Sequence, residues 1–155
     1  MAKAFDQPSL YDTDHVARLA EQVAHLRAGR LAAVDLGNVA EELEGLMRSQ
    51  RQQLENRLEV LILHRLKWGH QPDQRSNRGR ASAEEQRSRS RRLLRDSPSL
   101  KREVAAMCQD VFGDALRAAV IETRISESSF PRALPCPIEQ ILERELPAHS
   151  CPSHG

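Results

Sequence analysis

Residues 56–72, NRLEVLILHRLKWGHQP, combine an apolar stripe, the single tryptophan of the chain and a signal that ends a helix. Their apolar side chains recur every three or four residues, which is the spacing of one face of an α-helix. Apolar residues cover so much of the helix circumference that we expect this helix to lie at the centre of the protein. The stripe comprises Leu54, Leu58, Leu61, Ile62, Leu63 and Leu66. Gly69 and Pro72 predict its end.

Two further stripes at helical spacing precede this run. The first predicts a helix that Asp12 or Thr13 caps and Gly29 ends, and it comprises Val16, Leu19, Val23 and Leu26. The second predicts a helix that begins near Asp35, and it comprises Leu36, Val39, Leu43, Leu46 and Met47. Ser49 and Gln52 match a capping box, so the sequence leaves open whether residues 36–68 form one helix or two.

The second half of the chain predicts three more helices. Residues 73–80 have the composition of a loop, and a fourth helix is predicted from a capping box at Ser82 to about Asp96. It is polar as far as Leu93, so we expect it to pack weakly. Ser97-Pro98 is a strong start signal for a fifth helix to about Ile125. A connector with three prolines, residues 126–137, then precedes a short helix, IEQILEREL.

These patterns predict an all-α, single-domain bundle of five to six helices. The expected organisation is a flexible N-terminus at 1–10, a helical domain at 11–147 and a disordered tail at 148–155. The third and fifth helices should be central, and the most buried residues should include Leu58, Leu61, Ile62, Val104, Met107 and Val111.

Composition narrows the class of protein. The 155 residues contain no apolar window long enough to span a bilayer and no signal-peptide pattern, so we expect a cytoplasmic protein without a membrane partner. Three cysteines show no pairing pattern and are expected to be reduced. The net charge of +1 conceals a basic stretch, because residues 74–102 carry ten basic and three acidic side chains.

Several motifs resemble one bacterial family. They are YDTD from Tyr11, LRAGR, VDLGNVAEELE, LENRLEVLILHRLKWGHQP, EEQR, DSPSL, and FP followed by IEQIL. From Tyr11 to Pro147 the chain resembles the domain of unknown function 29 family. The resemblance implies an all-helical bundle and no assigned activity. The chain departs from the family pattern at His15, Val16 and Arg18, at Gly79, and at Leu134, where the family more often has aromatic residues, tryptophan and cysteine.

Three groups of residues are candidates for a site. His64, Lys67, Trp68 and Gln71 could line a pocket for an anionic or planar ligand at the end of the third helix, or could simply anchor that helix end. A run of arginines could follow a phosphate backbone, or could be a solvated helix face that pairs with acidic neighbours. The run comprises Arg75, Arg78, Arg80, Arg87, Arg89, Arg91, Arg92 and Arg95.

The third group is a weak candidate for a metal site. It comprises Glu41, Glu44, Glu55 and His64, but the Glu-x-x-His pair of di-metal bundles is missing. We expect no cofactor, and no complete catalytic motif is present. The leading interpretation is therefore a non-enzymatic helical module for protein interaction or self-association. The alternatives are nucleic-acid binding through the arginine run and a metal-dependent or carboxylate enzyme.

Overall fold

The structure, a computed structural model, describes residues 14–144 and Leu146. The described residues form helices and loops with no strand, which confirms the all-α class. Within residues 14–144, five α-helices follow one another: α1 (His15–Arg27), α2 (Leu36–His70), α3 (Asn77–Asp96), α4 (Val104–Thr123) and α5 (Ile138–Glu143). Short 3-10 turns lie between them at Leu31–Ala33, Pro72–Gln74, Pro98–Arg102 and Glu127–Ser129.

The chain forms two compact units, the first ending at Arg48 and the second beginning at Ser49. The predicted flexible N-terminus and disordered tail lie outside the described residues, and the predicted domain bounds stay a prediction. None of the helices in the described part of the chain is long and apolar enough to cross a membrane.

Local signals explain the ends of α1 and α2. The carboxylate of Asp14 accepts a hydrogen bond from the amide of Ala17 at 2.9 Å, so Asp14 caps α1. The predicted caps, Asp12 and Thr13, lie outside the described residues. Gly29 has a φ of 70°, the left-handed conformation that ends a helix cheaply in glycine. Asp35 caps α2 as predicted, because its carboxylate accepts from Asn38 at 3.0 Å.

The second and third predicted helices are one continuous helix of 35 residues. The capping box at Ser49 does not form. Its glutamine, Gln52, instead donates a side-chain hydrogen bond to Asn56, one turn further along the same helix, at 2.9 Å.

The core lies in the second unit and is built mainly from α2 and α4. The buried apolar residues of α2 are Leu54, Leu58, Leu61, Ile62 and Leu66, which were all predicted. Val104 and Met107 of α4 are also buried as predicted, but Val111 is only half-buried. Cys108, Phe112 and Ala119 take the inward positions instead. The predicted α4 stripe is therefore one residue out of phase at Val111, where Phe112 is buried instead, but it holds at Ala115, which is buried as predicted.

The prediction for α3 was wrong at its start. The helix begins at Asn77, inside the predicted loop, because the hydroxyl of Ser76 accepts a hydrogen bond from the amide of Gly79 at 3.1 Å. Ser82, the predicted cap, lies within the helix. Its end at Asp96 is as predicted.

The prediction that this helix packs weakly was also wrong. It buries Ala83, Arg87, Ser90 and Leu94, spaced four, three and four residues apart, and it packs on α5 and on the turn Pro98–Arg102. Small and polar residues form this inward stripe, which a search for large apolar residues misses. Ser97-Pro98 does begin helical structure, but as that 3-10 turn, and the α-helix starts only at Val104.

Candidate interaction surface

In the first unit, α1 and residues 36–48 at the start of α2 run antiparallel and form a helical hairpin. The side-chain oxygen of Gln22 accepts a hydrogen bond from the amide of Asp35 at 2.7 Å, and the Nε2 atom of His15 lies 3.6 Å from a carboxylate oxygen of Glu42. Moving seven residues forward along α1, from His15 to Gln22, thus moves seven residues back along the second segment. That relation is the one an antiparallel pair requires.

This hairpin buries no apolar side chain. Gln22 is the one buried residue among residues 14–48. Eight large apolar residues of the same segment are between 41 and 74% exposed: Val16, Val23, Leu26, Leu31, Leu36, Leu43, Leu46 and Met47. Contiguous exposed apolar surface on a folded protein marks an interaction site. We call these eight residues the apolar face.

Helical geometry places both stripes on the same side of the hairpin. Successive residues of an α-helix are turned by about 100° about the helix axis, so each stripe covers about 100° of the helix circumference. The centre of each stripe lies roughly 80° around its helix axis from the residues that contact the other helix. The direction of this rotation is the same in the two helices. Two antiparallel helices are related by a two-fold axis perpendicular to their common plane. An equal rotation in the same sense therefore puts both stripes on one face of that plane. The seven residues of the apolar face that belong to the two helices therefore lie on one surface rather than two, and Leu31 lies in the turn between these helices.

The four predicted ligand-binding residues also come together. His64, Lys67, Trp68 and Gln71 line one cavity of about 60 Å³ at the C-terminal end of α2. The residues that complete its wall come from the following turn and from the start of α3: Gln74, Arg75, Ser76 and Gly79. Sequence reasoning missed these four as pocket residues, because they lay in the segment that was predicted to be a loop.

Hydrogen bonds hold the cavity wall in place. The Nε2 atom of His64 lies 3.2 Å from the hydroxyl of Ser82 on α3. The side-chain Nε2 of Gln71 donates to the carbonyl of Thr123 at 3.2 Å. The guanidinium of Arg75 donates to the carbonyl of Trp68 through Nε and one terminal nitrogen, at 3.1 and 2.9 Å, and lies 5.3 Å from the centre of the indole ring.

Burial and the charge of Lys67 both favour the neutral form of His64. Burial lowers the pKa of His64, and the nearby ammonium of Lys67 lowers it further, while the carboxylate of Glu122 opposes the shift. The ammonium of Lys67 is 2.5 Å from Glu122. His64 is therefore a hydrogen-bonding imidazole rather than a fixed cation at neutral pH.

The arginine run divides by environment. Three of its members serve the fold. Arg75 binds the end of α2 as described, and Arg87 is 2% exposed, with Nε donating to the carbonyl of Ile141 at 3.2 Å and a terminal nitrogen paired with Glu84. Arg91, one turn on, donates to the carbonyls of Leu142 and Glu143 at 2.6 and 2.9 Å. These two arginines satisfy the last carbonyls of α5, which a helix leaves without partners.

The other five arginines of the run lie at the surface, and three of them lie near a carboxylate. Arg89 is 2.6 Å from Glu85, and Arg92 and Arg95 each lie 4.0 Å from Asp96. Arg78 and Arg80 are exposed near the start of α3. The surface available to a phosphate backbone is thus smaller than the sequence suggested, and nucleic-acid binding stays a prediction.

The four candidate metal ligands are spread along α2. Glu41 and Glu44 are exposed residues of the first unit, while Glu55 and His64 belong to the second. Nine residues of helix separate the last two, a rise of about 13 Å, which is too far for one ion. In the part of the chain that the structure describes, no three His, Cys, Asp or Glu residues are placed to hold a metal ion.

A larger groove, of about 490 Å³, was not predicted. Leu94, Val104, Ile138 and Leu142 form its apolar part, and its charged edge comprises Arg91, Arg95, Lys101, Glu139 and Glu143. It depends on the packing of α3 against α5, which the sequence did not reveal.

The comparisons with known proteins give one match. The model of the family described as "Domain of unknown function DUF29" matches residues 10–146. No curated protein and no solved structure matches the chain. Because the family model covers most of the 155 residues, the chain belongs to the DUF29 family.

Proposed function

We propose that the protein is a self-associating interaction module that pairs with a second copy of itself through the apolar face. The observation that carries the proposal is that residues 14–48 bury no apolar side chain and expose eight large ones, seven of them on one side of the helical hairpin. A helical hairpin in water gains most of its stability from covering such a face. We therefore expect a binding partner to cover the apolar face. This role requires no enzymatic activity of the protein.

The exposed area suits a protein partner. The eight residues present roughly 800 Å² of surface, about what each partner contributes to an interface of standard size. Two antiparallel hairpins packed face to face form a four-helix bundle, with their stripes as its core. A two-fold axis closes such a pair, because each copy offers the same surface to the other.

Charge favours one arrangement of the two copies. α1 carries two arginines and one glutamate, a net charge of +1, whereas residues 36–48 carry three glutamates and one arginine, a net charge of −2. Opposite charges attract when α1 of one copy lies beside the second helix of the other. If the two-fold axis of the bundle runs parallel to the helices, each α1 lies beside residues 36–48 of the other copy.

The test is the solution mass of the full chain and of two variants, by light scattering after gel filtration. Leu43→Glu places a charge in the apolar face, and we expect it to shift the protein from dimer to monomer. Ile121→Glu is the matched control: Ile121 is 76% exposed but belongs to α4 in the second unit, so its substitution should leave the dimer intact. Equal masses for the two variants would refute the assignment of the interface. A dimer that forms only with another protein would support the surface and contradict self-association.

A further inference from the structure

We propose that the cavity at the end of α2 binds a small oxyanion, of the size and shape of phosphate. This inference does not depend on self-association, because every residue that lines the cavity belongs to the second unit. The chemistry of the lining, the volume and the pairing of Lys67 support it independently.

The lining is cationic and rich in donors. Lys67 and Arg75 are cations, and the side chains of Gln71, Gln74 and Ser76 carry N–H or O–H groups. No aspartate or glutamate is among the eight lining residues. An anion in this cavity would therefore meet ammonium, guanidinium and neutral donors, and no carboxylate in the wall would repel it.

The volume sets the size of the ligand. A cavity of about 60 Å³ has room for a handful of atoms. Each water needs roughly 10–15 Å³ measured in this way, so the space equals about four to six waters. One phosphate or sulfate group fits that space, whereas a whole nucleotide does not. If the ligand is larger, only its phosphate or similar group enters.

Lys67 already holds an oxyanion. Its ammonium pairs with the carboxylate of Glu122 at 2.5 Å, and both side chains are partly exposed. Glu122 comes from α4 and is not part of the cavity wall. An exposed pair of this kind contributes little stability, so a phosphate oxygen can replace the carboxylate at modest cost. Glu122 thus competes with the ligand for Lys67.

Trp68 makes the proposal directly measurable. It is the single tryptophan of the chain and it lines the cavity, so a ligand bound there would change its fluorescence. We would titrate the full chain with sodium phosphate, and separately with sodium sulfate, while sodium chloride keeps the ionic strength constant. The expected result is a saturable change in Trp68 fluorescence with both oxyanions and none with chloride.

Three variants test whether Lys67 binds the oxyanion and whether Glu122 competes with it. Lys67→Met should weaken phosphate binding at least tenfold, and Glu122→Gln should strengthen it several-fold by removing the competitor. Lys101→Met is the matched control, because it removes an exposed lysine that does not line this cavity, and it should leave affinity unchanged. A flat titration of the native chain would overturn the proposal, and so would equal affinities for Lys67→Met and Lys101→Met. Should Lys67→Met not fold, weaker binding by Glu122→Gln would also refute the role of Lys67.

Discussion

Replacing Arg87 by methionine tests whether the arginine run serves the fold. Arg87 is 2% exposed on α3, where its guanidinium binds the carbonyl of Ile141 and the carboxylate of Glu84. Methionine keeps most of the length of the side chain and its apolar contacts but donates no hydrogen bond. The substitution therefore isolates the contribution of the guanidinium.

The expected loss of stability follows from the groups left behind. The carbonyl of Ile141 would stay buried without its donor, which costs about 1–3 kcal/mol. Glu84 is 48% exposed, so losing its partner costs under about 1 kcal/mol. We expect the free energy of unfolding to fall by about 2 kcal/mol, with α5 weakened first because Arg87 holds its last turn.

Urea unfolding followed by circular dichroism at 222 nm measures this loss, at one fixed protein concentration because association adds to apparent stability. Arg89→Met is the matched control: Arg89 is two residues away, is 58% exposed and pairs with Glu85 on the same helix. Its loss should stay within about 0.5 kcal/mol. Equal losses for the two variants would refute the structural role of Arg87.

Three further predictions concern single residues of the second unit. Leu58→Ala should cost about 2–5 kcal/mol, since Leu58 is fully buried, and a loss under 1 kcal/mol in urea unfolding would contradict its place in the core. Burial raises the pKa of Cys108 to about 12, so its thiol should react with a disulfide reagent only when the protein unfolds; rapid labelling of Cys108 in the native protein, seen by peptide mapping, would disagree. Because the pKa of His64 is lower in the folded protein, the imidazole takes up a proton more readily in the unfolded chain as the pH falls. The contribution of neutral His64 to the free energy of unfolding is therefore complete above pH 6.5 and falls as the pH drops below that value. His64→Gln should therefore lose less stability than the native chain between pH 7 and pH 5, and identical pH profiles would argue against the shift.

Periodicity of large apolar residues predicted the parts of the fold that such residues build. The stripe from Leu54 to Leu66 is the buried face of α2, and its burial is confirmed. The same reasoning failed for α3, because Ala83, Arg87 and Ser90 face inward there. Their burial depends on α5, which comes about fifty residues later and supplies the carbonyls that Arg87 and Arg91 bind. No local pattern reports such a contact.

The candidate sites show the same division. His64, Lys67 and Gln71 share a helix face at spacings of three and four, so the sequence could bring them together. Arg75 and Gly79 join their cavity only through the turn at Pro72–Gln74 and the early start of α3. The stripes of the first unit were found by periodicity too, but a stripe looks the same whether it lies in a core or on a surface. Their exposure needed the structure.

The most direct test of self-association is sedimentation equilibrium of the native full chain from low micromolar to near-millimolar concentration. We expect the mass to rise from the monomer value of 17.5 kDa toward about 35 kDa, and we expect Leu43→Glu to abolish this rise and Ile121→Glu to keep it. A mass of 17.5 kDa at every concentration would contradict it. The apolar face would then have to be covered by something other than a second copy of this chain.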